Sequence, residues 1–335
     1  TKNHSKGKPN LSARQKAPLT GHQQPTTSKM RIVFMGTPEW AIPTLRVLVE
    51  SGNPVVGVFT QPDRPVGRKQ LLKPSPVRGW SEAQGLRVWT PEQASSPETL
   101  ETLSDLKPEV VLVCAYGQLL SQAVLELPWL GCFNLHFSLL PRWRGASPVQ
   151  AAILAGDPIT GVALQKMVLK LDAGPLLCVS DSVPVTPEDT SEMLGARLAE
   201  LGAKLVQVAL PRFAADALAL TPQDESAVTN CRIIRKSQGG IDWCHESAEQ
   251  IERKLRAYTP WPGIHCFTPK GKRLQLVEVK VVLGSFEPGQ VYPELLIGTK
   301  AGGLRVLQLK PEGRGVMMAE AFLRGHPELL GATLP

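Results

Sequence analysis

Arg31-Ile-Val-Phe-Met-Gly36, followed by Thr37-Pro38-Glu39 and an apolar-periodic stretch through Leu45, Leu48 and Val49, decides the architecture. A short apolar run closing on Gly reads as a buried strand. Thr37 suits an N-cap, Pro38 a first helical position, and Glu39 the positive end of a helix. The unit is strand, tight turn, helix. Further along, Val55–Phe59, Pro108–Cys114 and Cys132–His136 read as strands, with a helix near Val77–Gln84. Strands alternating with helices predict an α/β fold with a doubly wound, mostly parallel, Rossmann-like sheet. Ligands of such sheets sit beyond the C-terminal strand ends, where Gly36, Ala115-Tyr116-Gly117 and Asn134–His136 fall. The first turn is GTPEW and no G-x-G-x-x-G is present, so support for a dinucleotide site is weak.

Helical periodicity returns at Ser191–Leu218. The texture then changes to short strand-like runs broken by Gly and Pro: Gly263–Thr268, Arg273–Leu283, Glu294–Gly298 and Leu304–Leu309. These predict a small C-terminal β-barrel, OB-like in character. The expected organisation is a disordered extension over 1–29, an α/β domain over 30–218 and the β-barrel over 219–335. The extension is polar and carries six positive charges with no Asp or Glu. It lacks the apolar material needed to offset the entropy of ordering. Met30 reads as the natural start, with the tail as an upstream extension.

Beyond that tail, 31 basic residues nearly balance 30 acidic ones, so the basic total says little about partners. Nucleic-acid binding would have to come from a local patch. One exists: Arg64, Arg68, Lys69, Lys73 and Arg78 fall between Arg64 and Trp80 with no acidic residue among them. A solvated loop is the ordinary explanation of such a run; a phosphate-tracking arm is the other. The six cysteines form no C-x-x-C pair and read as small core residues, not as a metal or disulfide framework. No apolar stretch is long enough for a membrane-spanning helix.

Alternation along the strand puts Asn134 and His136 on one face. Alone, each would be explained by bonds to loop backbone. Asp172, two residues before Gly174, would by itself be a turn aspartate. The adjacent Ser138-Leu-Leu-Pro and Arg142-Trp-Arg-Gly do not read as ordinary loop composition.

These stretches resemble the 10-formyltetrahydrofolate-dependent formyltransferases. The likeness runs through FMGTPEW (34–40), VFTQPDRPVGR (58–68), KPSPV (73–77), AYGQLL (115–120), SLLPRWRGASPVQ (138–150), LDAG (171–174) and the Ile241-Asp-Trp and Pro260-Trp-Pro motifs. It covers nearly everything after Met30, in order. The resemblance implies that Asn134, His136 and Asp172 act together in catalysis. It implies a folate site at Ser138, Leu139, Leu140 and Pro141, with Tyr116 and Gly117 lining the same pocket. It implies 10-formyltetrahydrofolate as co-substrate, with no metal and no covalent enzyme adduct. The basic insertion resembles one that contacts the acceptor stem of initiator tRNA. The implied acceptor is therefore the amino group of initiator methionyl-tRNA, formylated for translation initiation. Arg64, Arg68, Lys69 and Lys73, with Arg142 and Arg144 near the catalytic face, are the expected tRNA contacts. Phe137 stands where family members carry Gly or Ala, and by alternation it should face away from Asn134 and His136. A sister enzyme acting on a small amine such as a nucleotide sugar, a formyl-folate hydrolase, and a non-catalytic RNA-binding protein are the competing readings. A monomer is expected, in a bacterial cytoplasm or an organelle.

Overall fold

The computed structural model describes Thr1 and residues 29–66, 71–215 and 218–335. Residues 2–28 of the expected disordered extension, along with Arg68 and Lys69, lie outside the described residues.

Seven strands form the principal sheet: β1 (Ile32–Gly36), β2 (Val55–Phe59), β3 (Val88–Trp89), β4 (Val110–Cys114), β5 (Gly131–His136), β6 (Ala163–Lys166) and β7 (Leu176–Val179). Their order is β7-β6-β5-β4-β1-β2-β3. From β3 to β5 across the sheet every pairing is parallel, while β6 and β7 add two antiparallel pairings at one edge. Strands β1 and β4 are buried along their whole length, as expected for a parallel sheet covered on both faces. Alternate residues feed two cores. Ile32, Phe34, Val110, Leu112, Phe133 and Leu135 belong to one; Val33, Met35, Val111, Val113 and Cys132 belong to the other. Burying each such side chain contributes roughly 1.5–3 kcal/mol, against the conformational entropy it loses.

The helices flanking the sheet begin where serine and threonine permit. Ser75, Ser96 and Thr190 accept the Arg78, Thr99 and Met193 amides at the starts of Pro76–Ala83, Pro97–Leu106 and Ser191–Ala214. Thr37 departs from the expected cap. The turn runs through a 3₁₀ segment, Glu39–Ala41, before the α-helix Ile42–Glu50. The Thr37 hydroxyl instead donates to the Tyr116 carbonyl at 2.8 Å and accepts the Gln61 amide at 3.3 Å. It ties the ends of β1, β2 and β4 together.

The second sheet contains β8 (Ile264–Phe267), β9 (Arg273–Val282), β10 (Val291–Tyr292), β11 (Leu296–Gly298), β12 (Gly303–Pro311) and β13 (Met317–Met318). It is antiparallel throughout. One long edge of β12 pairs with β9. Its other edge is shared between β11 and β13, giving a curved, barrel-like sheet. The connecting chain runs back past the loop that follows β5: Asn230–Cys231 pairs in parallel with Arg144–Gly145 as a separate two-stranded ladder.

Candidate active site

The C-terminal end of β5 places Asn134 and His136 on the same side. Phe133, Leu135 and Phe137 pack into the opposite core, where the Phe137 ring lies 6.1 Å from that of Trp40. Phe137 therefore packs on the core side of the strand, and with Trp40 it also borders the cavity that Asn134 and His136 open onto. The antiparallel neighbour β6 sets Gln165 opposite Asn134. The loop following β6 brings Asp172 back over the strand ends. Gly174 is required there, because a Cβ at that position would lie 1.7 Å from the Lys166 carbonyl oxygen.

Asp172 is the centre of the cluster. Its Oδ1 accepts the Gln165 amide at 2.8 Å and the Asn134 amide at 3.3 Å, and its Oδ2 accepts the Gly145 backbone N–H at 2.8 Å. Oδ1 also lies 3.7 Å from His136 Nδ1, and both side chains are buried. The opposite ring nitrogen, Nε2, is 2.8 Å from the Trp143 carbonyl oxygen. That oxygen only accepts, so Nε2 carries a hydrogen and Nδ1 is the nitrogen facing Asp172.

Two of the six non-glycine residues with left-handed backbone among the described residues belong to this cluster, Trp143 (φ 62°) and Asp172 (φ 49°), and a third, Ala115 (φ 48°), lines the adjoining cavity. Such conformations cost about 1–2 kcal/mol each and concentrate where surrounding bonds over-determine them. The Trp143 amide donates to Thr229 Oγ1 at 2.9 Å and its indole to Asp157 at 2.7 Å.

Asn134, His136 and Asp172 open onto a cavity of about 490 Å³. Tyr116 and Gly117 line it, with Gly145–Gln150 and an apolar rim of Leu119, Leu169, Leu171 and Ile233. Burial pushes the Tyr116 phenol up to about 12. Cys231, whose thiol lies 3.4 Å from the Trp143 carbonyl, is pushed up to about 11 by burial and, to a lesser extent, by Asp172. Ser138, Leu139, Leu140 and Pro141 do not line this cavity. Ser138 is buried and its hydroxyl donates to the Arg142 carbonyl, closing the turn that carries Trp143 under the imidazole.

The expected tRNA contacts separate into different environments. Arg64–Val66 and Leu71–Lys73 form a small antiparallel hairpin with Arg64 directly opposite Lys73. Both are exposed, and Arg64 pairs loosely with Glu92 at 3.2 Å. Arg142 binds Asp157 through two nitrogens and stacks on Trp143 at 4.4 Å. Arg144 lies in a different setting: its side chain is 3% exposed and its guanidinium is engaged by Gln223 and Glu225. The sequence reading missed Gln165, Gln223 and the Trp143 carbonyl. Only Gln165 left a signal, as an amide within the apolar run Val162–Gln165.

Residues 30–210 match the formyl transferase family and residues 233–327 its C-terminal domain. The chain belongs to the formyltransferase family. Among curated relatives, the methionyl-tRNA formyltransferase of Methylococcus capsulatus is 44% identical over 302 residues, covering 89% of this chain and 97% of its own. The corresponding enzyme of Caulobacter vibrioides is 42% identical over 309 residues, covering 91% and 100%. Solved formyltransferase-fold structures are more distant in sequence. An N-formyltransferase from Helicobacter canadensis, in complex with folinic acid and dTDP-3-aminofucose, superposes with a TM-score of 0.62 at 16% identity, covering 83% of this chain and 98% of its own. HypX from Aquifex aeolicus with tetrahydrofolic acid gives 0.61 at 18% identity, covering 88% and 47%. These two establish likeness of fold.

Proposed function

We propose that this formyltransferase moves the formyl group of 10-formyltetrahydrofolate to the free amino group of initiator methionyl-tRNA. The observation that carries the reading is the convergence of Asn134 and His136 on one oxygen of Asp172 at the edge of the cavity. The full-length likeness to methionyl-tRNA formyltransferases supports the acceptor.

Formyl transfer needs a neutral amine to attack the formyl carbon. The new C–N bond forms as the carbonyl oxygen takes on negative charge. The bond to the folate nitrogen then breaks, and that nitrogen regains a proton while the amine loses one. Asn134 Nδ2 has two hydrogens, one directed at Asp172 and one available to the developing oxyanion. His136, held through Nε2, has Nδ1 for acid–base work beside Asp172. Asp172 orients both groups. Tyr116 and Gly117 contribute to the wall for the folate; Ser138–Pro141 support it from behind through the Trp143 turn. Arg64 and Lys73 on the hairpin supply cationic charge for the tRNA backbone, and Arg68 and Lys69 add two further positive charges to the same stretch of sequence. The reading carries with it a monomer, a bacterial cytoplasm or an organelle as the compartment, and the C-terminal sheet as part of the surface offered to tRNA.

The test is to incubate the purified protein with 10-formyltetrahydrofolate and charged initiator tRNA. Charged elongator methionine tRNA and a panel of small amines, nucleotide sugars included, run in parallel. Formyl transfer to the initiator species is expected. Transfer confined to a small amine would overturn the acceptor, and transfer to no amine would overturn the enzyme.

A further inference from the structure

We infer that Gln223, in the segment leading to the second sheet, is a positioning residue for Asp172 and so for the whole catalytic cluster. This deepens the proposed reading and rests on it for its kinetic consequence.

Gln223 Nε2 donates to the Asp172 backbone carbonyl at 2.9 Å and to the Gly174 carbonyl at 2.6 Å, with Gln165 Oε1 at 3.3 Å. Its Oε1 accepts from Arg144 Nε at 3.0 Å and from a terminal guanidinium nitrogen at 2.9 Å. Carbonyls only accept and a guanidinium only donates, so the amide has one possible orientation. Arg144 is itself held by Glu225, whose carboxyl the Arg144 guanidinium, with Lys170, keeps below the usual carboxylate range.

The target of this clamp is a turn that an L-residue does not adopt without cost. Asp172 has φ 49°, and within the turn Ala173 N–H reaches Lys170 at 3.2 Å. By gripping the main chain on both sides of Ala173, Gln223 fixes the direction in which the Asp172 carboxylate leaves the turn. Gln165, which also donates to that carboxylate, lies within reach of the same amide. A residue far along the chain thus closes the site that β5 and β6 begin.

The test compares Gln223→Glu and Gln223→Met with the parent. Glu keeps the shape and the bond to Arg144 but removes both N–H donors; Met removes both functions. Misplacing a reacting group by about 1 Å costs on the order of a hundredfold. Both variants should therefore lose at least about tenfold in kcat, with KM for both substrates and tRNA Kd within about twofold. Peptides spanning 168–175 should exchange amide hydrogen faster in both. A smaller loss in kcat, or a loss appearing only as weaker tRNA binding, would make Gln223 a mere anchor for the connecting chain and overturn the inference. If Met at 223 prevents folding, the isosteric Glu variant decides. If the parent formylates no amine, the proposed function fails by itself; unchanged exchange at 168–175 would then separately overturn the positioning role.

Discussion

His136 Nε2 and the Trp143 carbonyl oxygen lie 2.8 Å apart. This contact fixes the hydrogen on Nε2 and turns Nδ1 toward Asp172, so the backbone of a strained turn selects the tautomer of the candidate catalytic base. A tryptophan with φ 62° is an unusual device for that purpose. It is held by Thr229, Asp157 and the stacked Arg142.

Replacing Asn134 or His136 by Ala should lower kcat by about two to four orders of magnitude while leaving tRNA Kd close to the parent value. Single-turnover formylation checks this. A His136 variant with normal turnover would remove the imidazole from the chemistry.

The Arg64–Lys73 hairpin should contribute through charge alone. Arg64→Ala and Lys73→Ala should each weaken tRNA binding and reduce the slope of log K against log salt by up to about one unit. Arg68→Ala is expected to act in the same sense. Binding titrations over a salt series decide it; parallel lines for parent and variants would mean a solvated hairpin.

Gly145→Ala should be costly for both stability and activity. A Cβ there would sit 2.0 Å from the Cys231 carbonyl oxygen, and φ is 122°. The same residue donates its N–H to Asp172. A loss of roughly 2–4 kcal/mol is expected, read as a lower denaturation midpoint together with reduced kcat. A midpoint equal to the parent's would show that the connecting chain moves aside freely.

His265 should make the fold acid-sensitive. Its pKa is held below the ordinary 6.5, first by burial and then by Arg273, Lys254 and Lys236. The unfolded chain therefore takes up the proton first as pH falls through about 6.5, and stability declines with it. His265→Gln should lose less stability than the parent between about pH 7.5 and 5.5. Identical pH profiles from chemical denaturation would contradict this assignment.

The sequence and the structure divide along a physical line. Strands β1, β4 and β5, the helix near Val77 and the strands β9 and β12 are legible because burial patterns repeat at local spacing. Asn134 and His136 were readable as a pair because both lie on one strand two residues apart. Thr37 misled because a good cap residue also stands within reach of two other strand ends, and the Tyr116 carbonyl claimed its hydroxyl. The burial of Arg144 was not legible, because nothing in Arg-Trp-Arg reveals that Gln223, 79 positions away, will engage one of the two arginines.

The chain's own residues thus determined an α/β sheet followed by a β-rich unit, with the family motifs and the candidate reacting side chains in place. Tertiary structure alone decided which nitrogen of His136 faces Asp172, which arginine is withheld from solvent, and how Gln165, Gly145 and Gln223 converge on one aspartate. Those outcomes depend on hydrogen bonds between distant segments, and long-range partners leave no periodic trace in a linear sequence.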